Sequence, residues 1–251
     1  MENNTQSLGA YYQCHKNAAS FIRTLKSFQQ FYTGSDIVVV NDGGYDYKEF
    51  CEKRNIQYIY KPKSETMKNA LIFGSCDACI FFLKNLFESF KKIKETHVLL
   101  LEDDVRVLKR HSLPFKHTIN GCNEKELLNI VLQKILQGKG YNGPYYFGAC
   151  GGCVLEKSFF ENIDFAEIEN LIYKIKDFPN LFASDILLSF IVLYFGGTIG
   201  QHDEFAEMWY HDIYDRINNN KTAFLHQYKT DYEKYGVLPT DEETLELGNY
   251  V

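Results

Sequence analysis

The 251-residue chain contains no run of ~18 or more apolar residues, the length that a membrane-spanning helix needs. It has no excess of positive charge either. Its 27 Lys and Arg stand against 33 Asp and Glu, a formal net charge of −6 at pH 7. Non-specific nucleic-acid binding requires a basic face and is disfavoured. An anionic substrate would need local compensation from a metal ion or a few Lys and Arg. The opening MENNTQSLG lacks the basic-then-apolar order of a signal peptide. The cysteines, at 14, 51, 76, 79, 122, 150 and 153, are odd in number, which suits reduced thiols. Together these features set the expectation of a cytoplasmic protein.

Other absences narrow the class. The first strand-like stretch runs into Gln13-Cys14-His15-Lys16-Asn17, without a G-x-G-x-x-G fingerprint. A hydride-transferring Rossmann enzyme is therefore disfavoured. No repeat, low-complexity linker or domain boundary interrupts the chain, so residues 1–251 read as one domain. What is present is ample material for a core, with 45% hydrophobic and 16% aromatic residues.

The most informative stretch is His97-Val98-Leu99-Leu100-Leu101-Glu102-Asp103-Asp104-Val105. A short unbroken apolar run suits a strand buried on both faces. Three adjacent acids at its end do not suit packing, because ionised carboxylates are costly to bury unpaired. A hard divalent cation with a preference for oxygen ligands would satisfy them. In open α/β sheets ligands bind outside the carboxyl ends of the strands, where these acids fall. The competing role is a solvated acidic turn.

Around it the pattern alternates. Strands are expected at 8–14, 36–40, 56–60 and 97–101. Helices are expected at 17–32, 47–54 and, with a break near Gly74, 66–94. This order implies a mostly parallel central sheet flanked by helices, an α/β fold with right-handed crossovers. Residues 8–105 form a nucleotide-binding half and 106–235 an acceptor-binding half, with an acidic tail at 236–251. In the second half, helices are expected at 124–137, 158–162, 165–175 and 186–195, the last with Ser184 as N-cap. Strands are expected within 145–155 and at 198–200. Cys76/Cys79 and Cys150/Cys153 have zinc-like C-x-x-C spacing. The first pair falls in a helical pattern and the second flanks Gly151-Gly152, so the role of small buried apolar residues is favoured. Trp209, Tyr210 and Tyr214 read as core, with sugar stacking as the alternative.

Taken in order, these motifs resemble glycosyltransferases of the GT-A (nucleotide-diphospho-sugar transferase) fold, particularly the inverting family 2 type. Val38-Val39-Val40-Asn41-Asp42-Gly43-Gly44 resembles the strand ending whose Asp contacts the nucleotide base, which implies that role for Asp42. Its competing role is the Asn-Asp-Gly turn. The resemblance also places Tyr11 in the donor site. Met67-Lys68-Asn69 is similar to a basic-Asn segment near the donor diphosphate, at a longer spacing from the acids than usual. Leu101-Glu102-Asp103-Asp104 resembles the D-x-D signature, with Glu in the first place. It implies Asp104 as direct metal ligand, with Glu102 and Asp103 nearer ribose and sugar. Cys150-Gly151-Gly152-Cys153 resembles the glycine-containing strand beside the donor sugar, which puts Gly151 and Gly152 there. Ser184-Asp185 resembles the pair opening the acceptor-side helix, with Ser in place of Glu. That implies Asp185 as catalytic base, against a simple capping role. Ala223-Phe224-Leu225-His226 resembles the segment whose His completes metal coordination, with His202 and His211 as rivals to His226.

The implied activity is sugar transfer from a nucleotide-sugar donor, a uridine diphosphate sugar first, to an acceptor hydroxyl with inversion. Mn²⁺ or Mg²⁺ is the implied cofactor, and a glycan, lipid or protein is the acceptor. A nucleotidyltransferase also uses acids with a metal, but usually places a glycine-rich basic loop after the first strand. A non-catalytic sugar- or nucleotide-binding module of the same fold is a further alternative, and a retaining enzyme is another.

Overall fold

The computed structural model describes residues 6–14, 17–61, 75–122, 124–125, 128–176 and 183–227. The front half alternates strand and helix: β1 (Leu8–Cys14), α1 (Ala18–Phe31), β2 (Ile37–Asn41), α2 (Lys48–Lys53), β3 (Gln57–Tyr60), α3 (Cys76–Phe90) and β4 (His97–Leu101). The back half continues with β5 (Arg106–Val107), β6 (Ile119–Gly121), β7 (Glu124–Lys125), α4 (Ile130–Gly138), β8 (Tyr146–Phe147) and β9 (Val154–Glu156). Then come α5 (Lys157–Glu161), α6 (Phe165–Lys174), α7 (Ser184–Tyr194), β10 (Ile199–Gln201), β11 (Phe205–Glu207), α8 (Ile213–Asn218) and β12 (Phe224–His226).

The central sheet has seven strands in the order β10-β6-β9-β4-β1-β2-β3. β1 pairs in parallel with both β2 and β4, and β2 in parallel with β3. β9 is the exception, antiparallel to both β4 and β6. Successive strand residues face opposite sides of a sheet. Accordingly Tyr11, Val38, Val40, Val98 and Leu100 enter one core cluster. Ala10, Tyr12, Val39, Leu99 and Leu101 enter another. Apolar cover on both faces is why these strands read as unbroken apolar runs.

Local chemistry sets the element ends. The Asn17 side chain accepts the Ser20 amide at 3.1 Å and starts α1. Ser75 does the same for α3, accepting the Ala78 amide at 3.2 Å. α4 begins at Ile130 rather than 124, because the Asn129 side chain caps it by accepting the Val131 amide at 2.8 Å. Residues 124–125 instead pair with β8. The N-cap of α7 is Ala183; Ser184 is the first helical residue. Lys68, Asn69, most of the expected break near Gly74 and the tail 236–251 lie outside the described residues. No helix among the described residues is long and apolar enough to cross a membrane.

A second sheet of three strands, in the order β11-β12-β5, sits beyond the end of β4. Its staple is Glu204, only 3% exposed. The carboxylate accepts the amides of Ser112 at 2.7 Å and Leu113 at 2.9 Å and pairs with Lys109. Its own carbonyl accepts the Ala223 amide at 2.7 Å, which leads into β12. Burial alone would raise its pKa; Lys109 and the two amides outweigh that and hold it at about 2. The folded value lies below the ordinary 4.5, so the stabilisation is complete above 4.5 and fades as pH falls toward about 2. Glu204→Gln is expected to destabilise the protein by about 3 kcal/mol at neutral pH. Urea unfolding checks this, and the gap to the parent should narrow as pH falls from 4.5 toward about 2.

Candidate functional site

The acids form the turn that follows β4. The Val105 amide donates to the Glu102 carbonyl at 3.1 Å and closes it. From α1, the buried Thr24 hydroxyl donates to the Val105 carbonyl at 3.1 Å. Arg106 donates to Thr24 Oγ1 and to the Val105 carbonyl, both at 2.7 Å. The turn is thus fixed from below, and its three side chains diverge. Asp103 turns toward β1, where it accepts the Tyr12 hydroxyl. Glu102 and Asp104 face His226.

Strand register brings His226 there. β12 runs antiparallel to β5, with Phe224 opposite Val107 and Leu225 opposite Arg106. One more step sets His226 beside the acid turn. Its Nε2 lies 3.7 Å from Glu102 Oε2 and 3.6 Å from Asp104 Oδ1. Its Nδ1 stands 2.9 Å from Glu207, its register partner on the parallel strand β11. Burial alone would lower the His226 pKa; the carboxylates of Glu102 and Glu207 outweigh it and push the value well up. The rival histidines stand elsewhere. His202 is buried against Phe115 and Phe224, and burial lowers its pKa. His211 is exposed.

Two further segments close on this group. The Gly152 amide donates to the Leu100 carbonyl at 2.7 Å, which holds the glycines beside the top of β4. A Cβ on Gly151 would stand 2.9 Å from Glu102 Cδ and 2.9 Å from His226 Cδ2. Gly152 has φ +80°, a left-handed conformation that favours glycine. On α7, Ser189 donates to the Asp185 carbonyl at 2.7 Å and accepts the Gly148 amide at 3.1 Å. This ties Asp185, in the first turn, to the segment that leads into Gly151. Burial raises the Asp185 pKa first, the Ile186 amide opposes, and the charge of Glu102 adds to the rise. Burial and the neighbouring acid thus prevail over the amides of the helix's first turn.

No protein-family model matches the chain, and no curated protein sequence matches it. Solved structures do. It is similar to the galactosyltransferase LgtC in complex with donor and acceptor sugar analogues, with 12% identity and a TM-score of 0.55, over 95% of this chain and 100% of that one. GlyE from Streptococcus pneumoniae, a glycosyltransferase, gives 10% identity and a TM-score of 0.52 over 97% of this chain and 64% of that one. The bifunctional glycosyltransferase WbbM gives 12% and 0.52 over 89% of this chain and 46% of that one. The chain has a GT-A glycosyltransferase fold.

In this GT-A fold Tyr11 lies in the middle of β1 and Asp42 directly after β2. Tyr11 is fully buried, and its hydroxyl donates to Gln13 Oε1 at 2.7 Å. Gln13 Nε2 in turn donates to Asp42 Oδ2, also buried, at 3.1 Å. The turn after β2 is served by Asn41, whose side chain accepts the Gly44 amide at 3.0 Å, and by Gly43 at φ +75°. Trp209 and Tyr214 are 56% and 60% exposed, which corrects their reading as core. Glu207 was not singled out from the sequence. Its signal is long-range register, which no local pattern carries.

The three grouped side chains fit a divalent cation. Octahedral ligands ~2.1 Å from a metal stand ~3.0 Å apart when adjacent and ~4.2 Å when opposite. The observed 3.6 and 3.7 Å are wider than the adjacent spacing, so the side chains would draw inward to hold an ion. Gly151 packs directly against two of these groups. Gly151→Ala should destabilise the protein by about 1–3 kcal/mol through overpacking. Gly138→Ala, where a Cβ meets nothing within 4 Å, should stay within about 1 kcal/mol of the parent. Paired urea titrations test the contrast.

Proposed function

We propose that this chain is a glycosyltransferase that moves a sugar from a nucleoside-diphosphate donor to an acceptor hydroxyl, with Mn²⁺ or Mg²⁺ held by Glu102, Asp104 and His226. The observation that carries this reading is the convergence of those three side chains, ligand atoms within 4.8 Å of one another, at the end of β4 in a GT-A fold. Two hard carboxylates and one imidazole favour Mn²⁺ over Mg²⁺. Bound there, the ion would supply Lewis-acid neutralisation of charge developing on the departing diphosphate.

The chain's own residues do the rest. Asp103, oriented by Tyr12, is assigned to the donor ribose. Gly151, packed against Glu102 and His226, and Gly152 are assigned to the donor-sugar side. Tyr11 and Asp42, which hold Gln13 between them, are assigned to the nucleoside side, and Lys68 and Asn69 to the diphosphate. A uridine diphosphate sugar is the donor we place first. Asp185 is assigned the general base. It takes the acceptor hydroxyl proton as the new oxygen–carbon bond forms, while the electron pair of the breaking bond leaves with the diphosphate. A carboxyl with a raised pKa is a stronger base than an exposed one, which suits that task. In-line attack from the opposite face inverts the anomeric centre.

Donor hydrolysis and binding are measured first, across a panel of nucleotide sugars with Mn²⁺, with Mg²⁺ and with chelator. The expected result is metal-dependent release of one nucleoside diphosphate, abolished in Asp104→Ala. No binding of any donor in any metal condition overturns the proposal. Asp185→Asn should then lower kcat by about 10²–10⁴-fold with donor affinity unchanged. A near-normal rate, or a product that nuclear magnetic resonance shows to retain configuration, removes the base assignment and the inversion together.

A further inference from the structure

All seven cysteines are free thiols, and neither C-x-x-C pair forms a cluster with other metal ligands among the described residues. The structure makes a different pairing. Cys122 follows the end of β6, Cys150 precedes Gly151, and the two sulfurs lie 3.7 Å apart. The carboxylate of Glu207 completes the group, and all three ligand atoms fall within 4.8 Å of one another. Cys122, Cys150 and Glu207 are 2%, 6% and 3% exposed. Tyr210 is nearby: burial raises its pKa first, the charges of Cys122, Glu207 and Cys150 add to the rise, and a hydrogen bond with Gln201 opposes it.

We propose that Cys122, Cys150 and Glu207 form a second cation site, selective for a thiophilic divalent ion such as Zn²⁺. Two thiolates ~2.3 Å from a tetrahedral zinc stand ~3.8 Å apart. The observed sulfur separation of 3.7 Å meets that requirement. A thiol–thiol hydrogen bond explains the same two sulfurs but not the convergence of a buried carboxylate upon them. Soft sulfur ligands select Zn²⁺ over Mn²⁺ and Mg²⁺, the reverse of the preference at the acid turn. On binding, both thiols release their protons to solvent and the ion takes the two sulfur lone pairs. Glu207 supplies the third ligand, and a water fills the fourth place. Glu207 also contacts His226, so the two sites share a carboxylate. The inference does not rest on sugar transfer.

Co²⁺ is the probe, added to the metal-free full chain under a phosphine reductant. One equivalent should give a near-ultraviolet thiolate-to-cobalt charge-transfer band. One equivalent of Zn²⁺ should bleach it, and excess Mn²⁺ should not. Cys122→Ser and Cys150→Ser should each lose the band, whereas Asp104→Ala should keep it. Absence of a band, or a band surviving either serine variant, overturns the proposal. X-ray absorption at the zinc edge of the parent protein needs no variant to fold. Two sulfur scatterers are expected at about 2.3 Å, and a shell of nitrogen and oxygen alone overturns the site.

Discussion

Glu102 and Asp104 are held close together at the end of a buried strand, and their mutual repulsion is the constraint to which the surrounding structure answers. Two like charges ~4 Å apart at an effective dielectric of ~20 repel by ~4 kcal/mol. Free side chains would swing apart. Here the turn is closed by the Val105 amide and pinned from α1 by Thr24, so the backbone offers no relief. Positive charge must come to them instead. Part of it is His226, whose pKa the carboxylates push well up against the opposing effect of burial. One protonated imidazole shared with Glu207 does not neutralise three carboxylates. A divalent ion held between Glu102 and Asp104 would offset both of their charges, with the His226 ring then neutral.

That requirement explains the path of the chain. β5 begins two residues after Asp104, and β12, at the far end of the described chain, returns to pair with it. The small sheet is built from strands of two and three residues, too short to stand alone. Its support comes from outside. Glu204 holds the loop after β5 and feeds β12, while Phe224 packs with Phe115 and the His202 ring. The site thus draws on segments separated by more than a hundred positions. Its order depends on tertiary contacts, and no single element carries it.

This division also decides what could be read in advance. The front half was legible because its strands are apolar over most of their length and its two long helices, α1 and α3, carry the caps Asn17 and Ser75. The acid turn was legible because a carboxylate triplet after such a strand has no packing role. His226 could be named only through a family resemblance, since nothing local distinguishes it from His202 or His211. Its choice follows from the β5–β12 register, and Glu207 follows from the β11–β12 register. Glu102 was assigned to ribose or sugar because adjacent acids look equivalent in sequence. The turn separates them, sending Asp103 to Tyr12 and Glu102 to His226. The Cys122–Cys150 contact spans 28 positions and two segments, so the local C-x-x-C spacings drew notice instead.

Glu207 connects these observations. Facing His226, its carboxylate fixes which imidazole nitrogen points at the acids: with Nδ1 engaged, Nε2 is the one presented to Glu102 and Asp104. That is the arrangement in which a second carboxylate orients a ligating histidine and raises its basicity. Facing the other way, the same group borders two buried sulfurs. Both Glu207 oxygens lie 2.9 Å from His226 Nδ1, so a cation at the sulfurs would draw one of them away and leave the other with the imidazole. The hard ligand set and the soft one are thus adjacent but chemically sorted. Mn²⁺ has little to gain among sulfurs, and Zn²⁺ gains most there. Any ion bound beside Glu207 weakens its negative field at Nδ1 and makes His226 less basic. Occupancy of the soft set would thereby reach the hard set through a single side chain.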